Sequence, residues 1–244
     1  MSPLRTFATA GRVLRQLRHD PRTLALIIVV PPVLLALLKY VFNGDSQTFD
    51  HIAPMALGIF PLIVMFIVTS VATLRERTSG TLERLLTLPI GKLDIILGYA
   101  FAFALLALIQ ALIASGVVLG LLGVTVLGGT LKVIITAVLA GLLGTAMGLF
   151  VSAFARTEFQ AVQFMPAFVF PQLLICGFFV PREHMAVALR WLSDICPMTY
   201  ITEAMQHITR LSGWGGDFGR DLLVTIGFIL LALILGAVTL RRQE

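Results

Sequence analysis

The sequence predicts an all-α integral membrane protein with six transmembrane helices, and three observations lead to this fold class. First, 58% of the 244 residues are hydrophobic and only 13% are charged, whereas an average soluble chain carries about 25% charged residues. Second, six apolar segments each approach or exceed the length of about 20 residues that a helix needs to cross a bilayer. Third, the basic residues lie toward the ends of these segments, because a charge at the bilayer centre costs about 2.5 to 3.5 kcal/mol.

The composition also limits the function classes. A formal charge of +5 is compatible with nucleic-acid binding, but no basic groove with a reading element is visible, so no nucleic-acid partner is predicted. Cys176 and Cys196 are too few for a disulfide framework, and one bridge or two free thiols both remain open. His184 and His207 stand alone and are interpreted as surface polar groups, so no metal site is predicted.

The first element, over residues 1–22, is predicted to be an amphipathic helix in the membrane interface. Arginines recur on one of its faces, where they suit anionic lipid headgroups. The apolar stripe on another face consists of Leu4, Phe7, Gly11, Leu14 and Leu17.

The six predicted spans follow at residues 24–42, 52–74, 93–122, 133–154, 161–180 and 222–240. Pro31 and Pro32 are expected to kink the first span. Gln110, in the middle of the third, is expected to form an interhelical hydrogen bond. Gly144 and Gly148 in the fourth allow close helix contact, which is expected inside one subunit rather than between subunits.

The basic residues orient the chain. With the amino terminus inside, 12 of the 18 basic residues lie on the inner side. The positive-inside rule therefore predicts that both termini and the loop at residues 75–92 are cytoplasmic, in a multi-pass protein of the cytoplasmic membrane. The basic residues on the inner side are Arg5, Arg12, Arg15, Arg18, Arg22, Arg75, Arg77, Arg84, Lys92, Arg156, Arg241 and Arg242.

The loop at residues 75–92 contains a predicted short amphipathic helix outside the membrane. Charged residues end the second span, and residues 78–80 form a turn. With Gly80 as N-cap, Glu83 occupies the third helical position, where a carboxylate suits the helix dipole. Three leucines share one face of this helix, and Pro89 limits it.

Residues 75–77 (RER), 80–85 (GTLERL) and 88–89 (LP) resemble the first cytoplasmic loop of type-2 ATP-binding-cassette export permeases. The resemblance implies that this helix is a coupling helix seated on the ATPase subunit. Its leucines are expected to pack on the ATPase and its charged residues to pair at the rim. The coupling residues expected on this basis are Glu76, Arg77, Gly80, Thr81, Leu82, Glu83, Arg84, Leu85 and Leu86.

The segment at residues 181–221 is a long outer region of mixed polarity. Ile201, Ala204, Met205 and Ile208 fall on one helical face, which is expected to dip into the outer leaflet. Residues 176–181 (CGFFVP), 191–192 (WL) and 197–200 (PMTY) resemble the daunorubicin-resistance-like group of these permeases. The resemblance implies re-entrant helices here and an outer gate that includes Phe178, Phe179, Pro197 and Tyr200.

The resemblance also implies a transport path between two permease copies, lined by the second and fifth spans. Aromatic and methionine side chains offer adaptable contact to an apolar compound, and intramembrane glutamines can bind a polar group on it. The residues expected to line the path are Phe60, Met65, Phe66, Thr69, Gln163, Phe164, Phe168 and Gln172.

The sequence lacks a GxxxxGK[ST] phosphate loop, so the chain is not predicted to be an enzyme or to bind a cofactor itself. The resemblance implies that ATP and magnesium are bound by a separate ATPase subunit, present in two copies. It also implies a second permease subunit, most simply a second copy of this chain, and export of a drug, a lipid or a lipid-linked compound. Two alternatives stay open: an ion-coupled secondary carrier, disfavoured because no carboxylate lies well inside a span, and a membrane scaffold that transports nothing.

Overall fold

A computed structural model of the protein describes residues 3–80, 91–210 and 215–239. All regular structure in these ranges is helical. Nine α-helices occur in the described part of the chain, with a π-helical turn, Val117–Leu121, extending α4 and a short 3₁₀ turn at Arg182–His184. In chain order, α1 to α9 are Pro3–Arg18, Pro21–Val41, Ser46–Thr78, Lys92–Gly116, Thr130–Ser152, Glu158–Ile175, Val187–Asp194, Pro197–Arg210 and Gly216–Thr239.

Five of these helices are long and apolar enough to cross a membrane: α2, α3, α4 with its π-helical extension, α5 and α9. The fifth predicted span, at residues 161–180, corresponds to α6, which is not among the five. Helix α6 has only 18 residues, and Gln160, Gln163 and Gln172 lower its apolar character. The structure therefore confirms a multi-pass helical protein, while α6 differs from the prediction in length and polarity.

Two helices begin earlier than predicted because aspartates cap them. Asp20 accepts hydrogen bonds from the backbone and hydroxyl of Thr23, and Asp45 does the same with Thr48. These hydrogen bonds lower the pKa of both carboxyl groups below the ordinary value, so both caps are charged at neutral pH. As a result α3 starts at Ser46 and runs for 33 residues, about 50 Å. Residues 46–51, which lie between the first two predicted spans, are therefore helical.

Helix α3 lies at the centre of the bundle and packs closely on α5. A Cβ atom added at Gly144 would lie 2.2 Å from the carbonyl oxygen of Leu62, and one at Gly148 would lie 2.6 Å from that of Phe66. Both distances are far below van der Waals contact. The expectation that these glycines pack inside one subunit is confirmed.

Gln110 forms the expected interhelical hydrogen bond, and a proline explains its partner. Pro31 has no N–H, so the carbonyl of Ile27 one turn earlier loses its partner within α2. Gln110 on α4 is fully buried and donates its Nε2 to that carbonyl at 2.9 Å. The side chain therefore satisfies a backbone group that water cannot reach.

Replacing Gln110 with leucine is expected to lower the free energy of unfolding by about 1 to 3 kcal/mol, because the Ile27 carbonyl is left buried and unpaired. The measurement is the midpoint of thermal unfolding in mild detergent. Gln163→Leu is the matched control, since the side chain of Gln163 is exposed. Equal midpoints for Gln110→Leu and the control would contradict this role.

The predicted apolar face of the long outer region is buried against protein rather than lipid. Ile201, Ala204, Met205 and Ile208 on α8 are each at most 1% exposed. Helix α8 approaches α3 so closely that a Cβ at Gly58 would lie 2.7 Å from Cγ2 of Ile201. The face thus packs on α3, α5 and α9, and the entry of this region into the outer leaflet stays a prediction.

Candidate functional site

One end of the bundle carries α1 and the chain on both sides of residues 81–90; we call it the α1 end. The coupling residues Thr81, Leu82, Glu83, Arg84, Leu85 and Leu86 lie outside the described residues. The structure describes their immediate neighbours, which are the last turn of α3 and the first turns of α4. Gly80 has a φ of +72° and follows the C-cap Ser79 of α3, so it ends α3. The helix that Gly80 was predicted to cap lies outside the described residues.

Arg12 on α1 contacts both helices that flank this loop, α3 and α4. Nη2 of Arg12 lies 2.6 Å from Oε2 of Glu76 on α3 and donates to the hydroxyl of Tyr99 on α4 at 2.8 Å. Thr6 on α1 also donates to Asp94 on α4 at 3.5 Å. The side chain of Glu76 is only 5% exposed. The structure thus places this predicted coupling residue in a contact within the chain, where it fixes α1.

Helix α1 also packs directly on α4. A Cβ at Gly98 would lie 2.6 Å from Cβ of Thr9, so only glycine permits this separation of the two helices. On the same surface Ala10, Val13 and Leu17 are buried.

Of the predicted apolar stripe only Leu17 is buried, while Leu4 and Phe7 are exposed. The face of α1 that packs on the bundle therefore differs from the predicted one, because the small residues Thr6 and Thr9 allow the close approach to α4. Together α1, the end of α3 and the start of α4 form one packed unit, which we call the α1 block.

A second ionic contact joins three helix ends beside the α1 block. Arg75 at the end of α3 binds Glu158 at the start of α6 through two hydrogen bonds, of 2.7 and 2.9 Å. Its Nη1 also lies 3.7 Å from Asp20, the cap of α2. Because Arg75 and Glu158 are about half exposed, this cluster contributes little stability, about 1 kcal/mol at most. It does connect α2, α3 and α6 at one point.

Arg77, another predicted coupling residue, also contacts the bundle. Its guanidinium donates to the backbone carbonyl of Ser152 in the last turn of α5. A cation at this position suits the helix dipole and an unpaired terminal carbonyl. The last turn of α3 is thus linked by Glu76 to α1 and by Arg77 to α5.

The predicted path residues of α3 fall into two groups. Met65, Phe66 and Thr69 are completely buried inside the subunit, so in this structure they face neighbouring helices. Phe60 is half-buried and lies on a different face. The half-buried positions of α3 at helical spacing are Phe60, Ile63, Ile67 and Val71. The last three were missed because nearly every residue in this stretch is apolar, so hydropathy cannot select a face.

The predicted path residues of α6 are more accessible. Gln163 and Phe168 are exposed and Phe164 is half-buried. Gln172 is buried, donates to the carbonyl of Phe168 at 2.9 Å and accepts from the backbone of Met198 at 3.3 Å. Three of the four α6 residues therefore lie on accessible or partly accessible surface, while Gln172 holds α8 in place.

The predicted gate residues lie at the opposite end of the bundle. The rings of Phe178 and Phe179 contact edge to face with centroids 5.1 Å apart, and Phe179 is 62% exposed. Pro197 begins α8. The hydroxyl of Tyr200 donates to the carbonyl of Asp194 at 2.6 Å, which connects α8 to α7.

An ionic cluster that sequence reasoning missed surrounds these residues. Arg182 binds both Asp194 and Glu203, and Arg220 on α9 lies 3.7 Å from Glu203. Burial lowers the pKa of Arg182, but its hydrogen bonds to Glu203 and Asp194 outweigh that effect and leave the pKa above its ordinary value. The partners are 12 and 21 residues from Arg182 in the chain, so no local spacing reveals them.

His207 differs from its predicted role as an isolated surface group. Its Nε2 lies 3.6 Å from Oδ2 of the fully buried Asp221. This contact forms because α9 begins before the predicted span and brings Asp221 against α8. His184 is exposed, as predicted. Both cysteines are free thiols, and partial burial raises the pKa of the Cys196 thiol.

The fold and these contacts define a class: a multi-pass α-helical membrane protein whose α1 end is packed around the ends of a charged loop. The chain belongs to the ABC-2 type transporter family, whose profile matches residues 5–209. This finding agrees with the resemblance read from the loop and outer-region motifs.

Several curated proteins are similar to the chain. The "Probable multidrug ABC transporter permease YbhR" of Escherichia coli is 30% identical over 166 residues, which cover 68% of this chain and 45% of that protein. The "Probable multidrug ABC transporter permease YbhS" of the same organism is 25% identical over 205 residues, 84% of this chain and 53% of that protein. The "ABC transporter G family member 20" of Dictyostelium discoideum is 24% identical over 205 residues, 83% and 28% of the two chains. The chain thus spans about half the length of these permeases, or less than a third in the last case.

Proposed function

We propose that the chain is the membrane permease subunit of an ATP-driven exporter that moves a hydrophobic or amphipathic compound out across the cytoplasmic membrane. Family membership supports the permease role, and two relatives are named as multidrug permeases. ATP and magnesium are bound by a separate ATPase subunit, present in two copies. A second copy of the permease completes the membrane part.

The proposed topology has six spans. Five are the long apolar helices described above, and α6 is the sixth. Its glutamines suit a helix that faces a path or a second subunit rather than lipid on all sides. An even number of spans places both termini on one side. The excess of basic residues at the α1 end supports a cytoplasmic location for that side.

The observation that carries this proposal is the double contact of Arg12 with Glu76 and Tyr99. Residues 79–91, which include the predicted coupling residues 80–86, connect the two helices that Arg12 joins. When an ATPase pushes on this loop, α1, α3 and α4 therefore move together. Without the Arg12 contacts, the force would bend only the end of one helix. Arg75 then passes the displacement to α2 and α6 through Asp20 and Glu158.

The proposed path runs between two copies, along surfaces that are accessible in one copy. On α3 these are the half-buried positions Phe60, Ile63, Ile67 and Val71, and on α6 they include Phe164 and Phe168. All six are apolar, which suits a hydrophobic or amphipathic compound. At the far end of the path the Arg182 cluster holds α7 and α8 against α9 beside Phe178 and Phe179.

The function is tested by transport in proteoliposomes that contain the chain and its copurified ATPase. Accumulation of a hydrophobic dye is expected to require ATP hydrolysis and to persist when ionophores dissipate proton and sodium gradients. Accumulation driven by an imposed ion gradient without ATP would favour an ion-coupled carrier. No accumulation under either condition, with an active ATPase present, would favour a scaffold.

A further inference from the structure

A cavity of about 520 Å³ opens beside the α1 block, in the groove that α2 and α6 leave on the surface of α3. This volume lies within the range of about 300 to 1,000 Å³ that is typical of small-molecule sites. We call it the inner cavity. It lies at the α1 end and is bounded by four helices, with α1 closing one side.

The two ends of the inner cavity differ in chemistry. Its polar end is formed by the Asp20, Arg75 and Glu158 cluster described above. Its deeper wall is apolar and includes Leu26, Ile67 and Val162. From the spacing of Arg75 and Ile67 along α3, the cavity extends about 12 Å from the charged end into the span. The cavity therefore fits an amphipathic molecule that has a charged group toward the helix ends and an apolar body deeper in the membrane.

The sign of the charge at the polar end selects the ligand. Two carboxylates, of Asp20 and Glu158, face one guanidinium, that of Arg75, which leaves a formal excess of one negative charge. Nε and Nη2 of Arg75 already donate hydrogen bonds to the carboxylate of Glu158. Arg18 and Arg22, the basic residues nearest to Asp20 in the sequence, do not line the cavity. A phosphate or carboxylate on a ligand would thus meet two carboxylates and an occupied arginine.

We propose that the inner cavity is a loading site for amphipathic organic cations that enter from the inner leaflet. The cation takes a position beside Asp20 and Glu158, and the apolar body lies against Ile67, Val71 and Val162. The inference rests on the proposed export function only in treating the bound compound as cargo. Binding itself requires neither ATP nor the ATPase, so it can be tested separately.

The experiment uses two probes of nearly the same shape and opposite charge, tetraphenylphosphonium and tetraphenylborate. Their binding to the purified chain in phosphatidylcholine nanodiscs is measured by equilibrium dialysis without nucleotide, and binding to empty nanodiscs is subtracted. The wild-type chain is expected to bind the phosphonium saturably and more tightly than the borate. Equal or tighter binding of the borate would overturn the proposal.

Two variants locate the site. Asp20→Asn with Glu158→Gln keeps the cap of α2 and an acceptor for Arg75 but removes both charges, and it is expected to weaken phosphonium binding by about tenfold and to strengthen borate binding. Ala72→Leu narrows the apolar wall and is expected to weaken the binding of both probes. Unchanged phosphonium affinity in both variants would show that a lipid or a second copy of the chain fills the groove, and would overturn the proposal.

The chain offers a closely matched control. Asp45 caps α3 through the same pair of hydrogen bonds to the threonine three residues later, at the opposite end of the bundle. Asp45→Asn therefore makes the same chemical change at the same type of cap and should leave both affinities unchanged. A loss equal to that of the double variant would mean that net charge, not the inner cavity, governs binding. Transport that fails while binding behaves as expected would count against the export function alone.

Discussion

Replacing Gly144 with alanine is expected to destabilise the protein by about 3 kcal/mol or more, at the upper end of the cost of overpacking. The new methyl group would lie 2.2 Å from the backbone oxygen of Leu62. A backbone atom inside a central helix cannot move aside as a flexible side chain can. Helices α3 and α5, whose contact is the most extensive in the bundle, must therefore separate along their length.

The measurement is the temperature at which half of the protein is no longer monodisperse. Samples are heated in mild detergent, and size-exclusion chromatography then gives the monodisperse fraction at each temperature. Gly227→Ala is the matched control, because a Cβ at Gly227 would meet nothing within 4 Å, and alanine is the better helix former. The control is expected to equal or exceed the wild type. A Gly144→Ala midpoint as high as that of the control would contradict the described packing of α3 on α5.

Arg12→Met is expected to have the second large effect, a loss of about 3 kcal/mol in the free energy of unfolding, because it leaves the buried carboxylate of Glu76 unpaired. This is the lower end of the cost for a buried pair, since the Arg12 side chain is 31% exposed. It also removes the hydrogen bond to Tyr99. The same change is expected to uncouple the transporter, so that ATP hydrolysis is no longer stimulated by transported compound. Detergent unfolding curves and ATPase assays of the assembled complex measure the two effects.

A double variant separates stability from coupling. Arg12→Met with Glu76→Met removes both charges together, and such paired replacements are often neutral or stabilising. We expect the double variant to regain much of the stability while coupling stays impaired, because the ionic tie between α1 and α3 is absent. Arg15→Met, at an exposed position of the same helix, should change neither property. Full coupling in the stable double variant would mean that this contact is only structural.

Much of the bundle follows from the sequence, because long apolar segments and the charges at their ends leave few alternatives. The role of Gln110 was predictable for a similar reason, since a buried amide in a span needs a partner. The face of α3 was not predictable: Met65 and Ile67 are both apolar, yet Met65 is fully buried and Ile67 is half-buried. Selecting a face requires the neighbouring helices, and their placement depends on glycine contacts such as Gly144 with Leu62.

The ionic contacts were missed for another reason. Arg12 with Glu76, Arg75 with Glu158 and Arg182 with Glu203 are separated by 64, 83 and 21 residues. Pairs at such distances leave no periodic signal in one sequence. The sequence therefore predicts that Glu76 pairs with an ATPase subunit, whereas its carboxylate is buried beside Arg12.

The central claim is that residues 75–92 couple this chain to an ATPase, and copurification from the native host tests it most directly. Wild type and the charge reversal Glu83→Arg with Arg84→Glu are compared in mild detergent. The reversal Glu183→Arg with Arg190→Glu, at exposed positions of the opposite end, is the control. A nucleotide-binding protein is expected to copurify with wild type and control and to be lost from the Glu83 and Arg84 variant. If folded wild-type protein brings down no ATPase, or if the Glu83 and Arg84 variant retains it fully, the coupling account is contradicted.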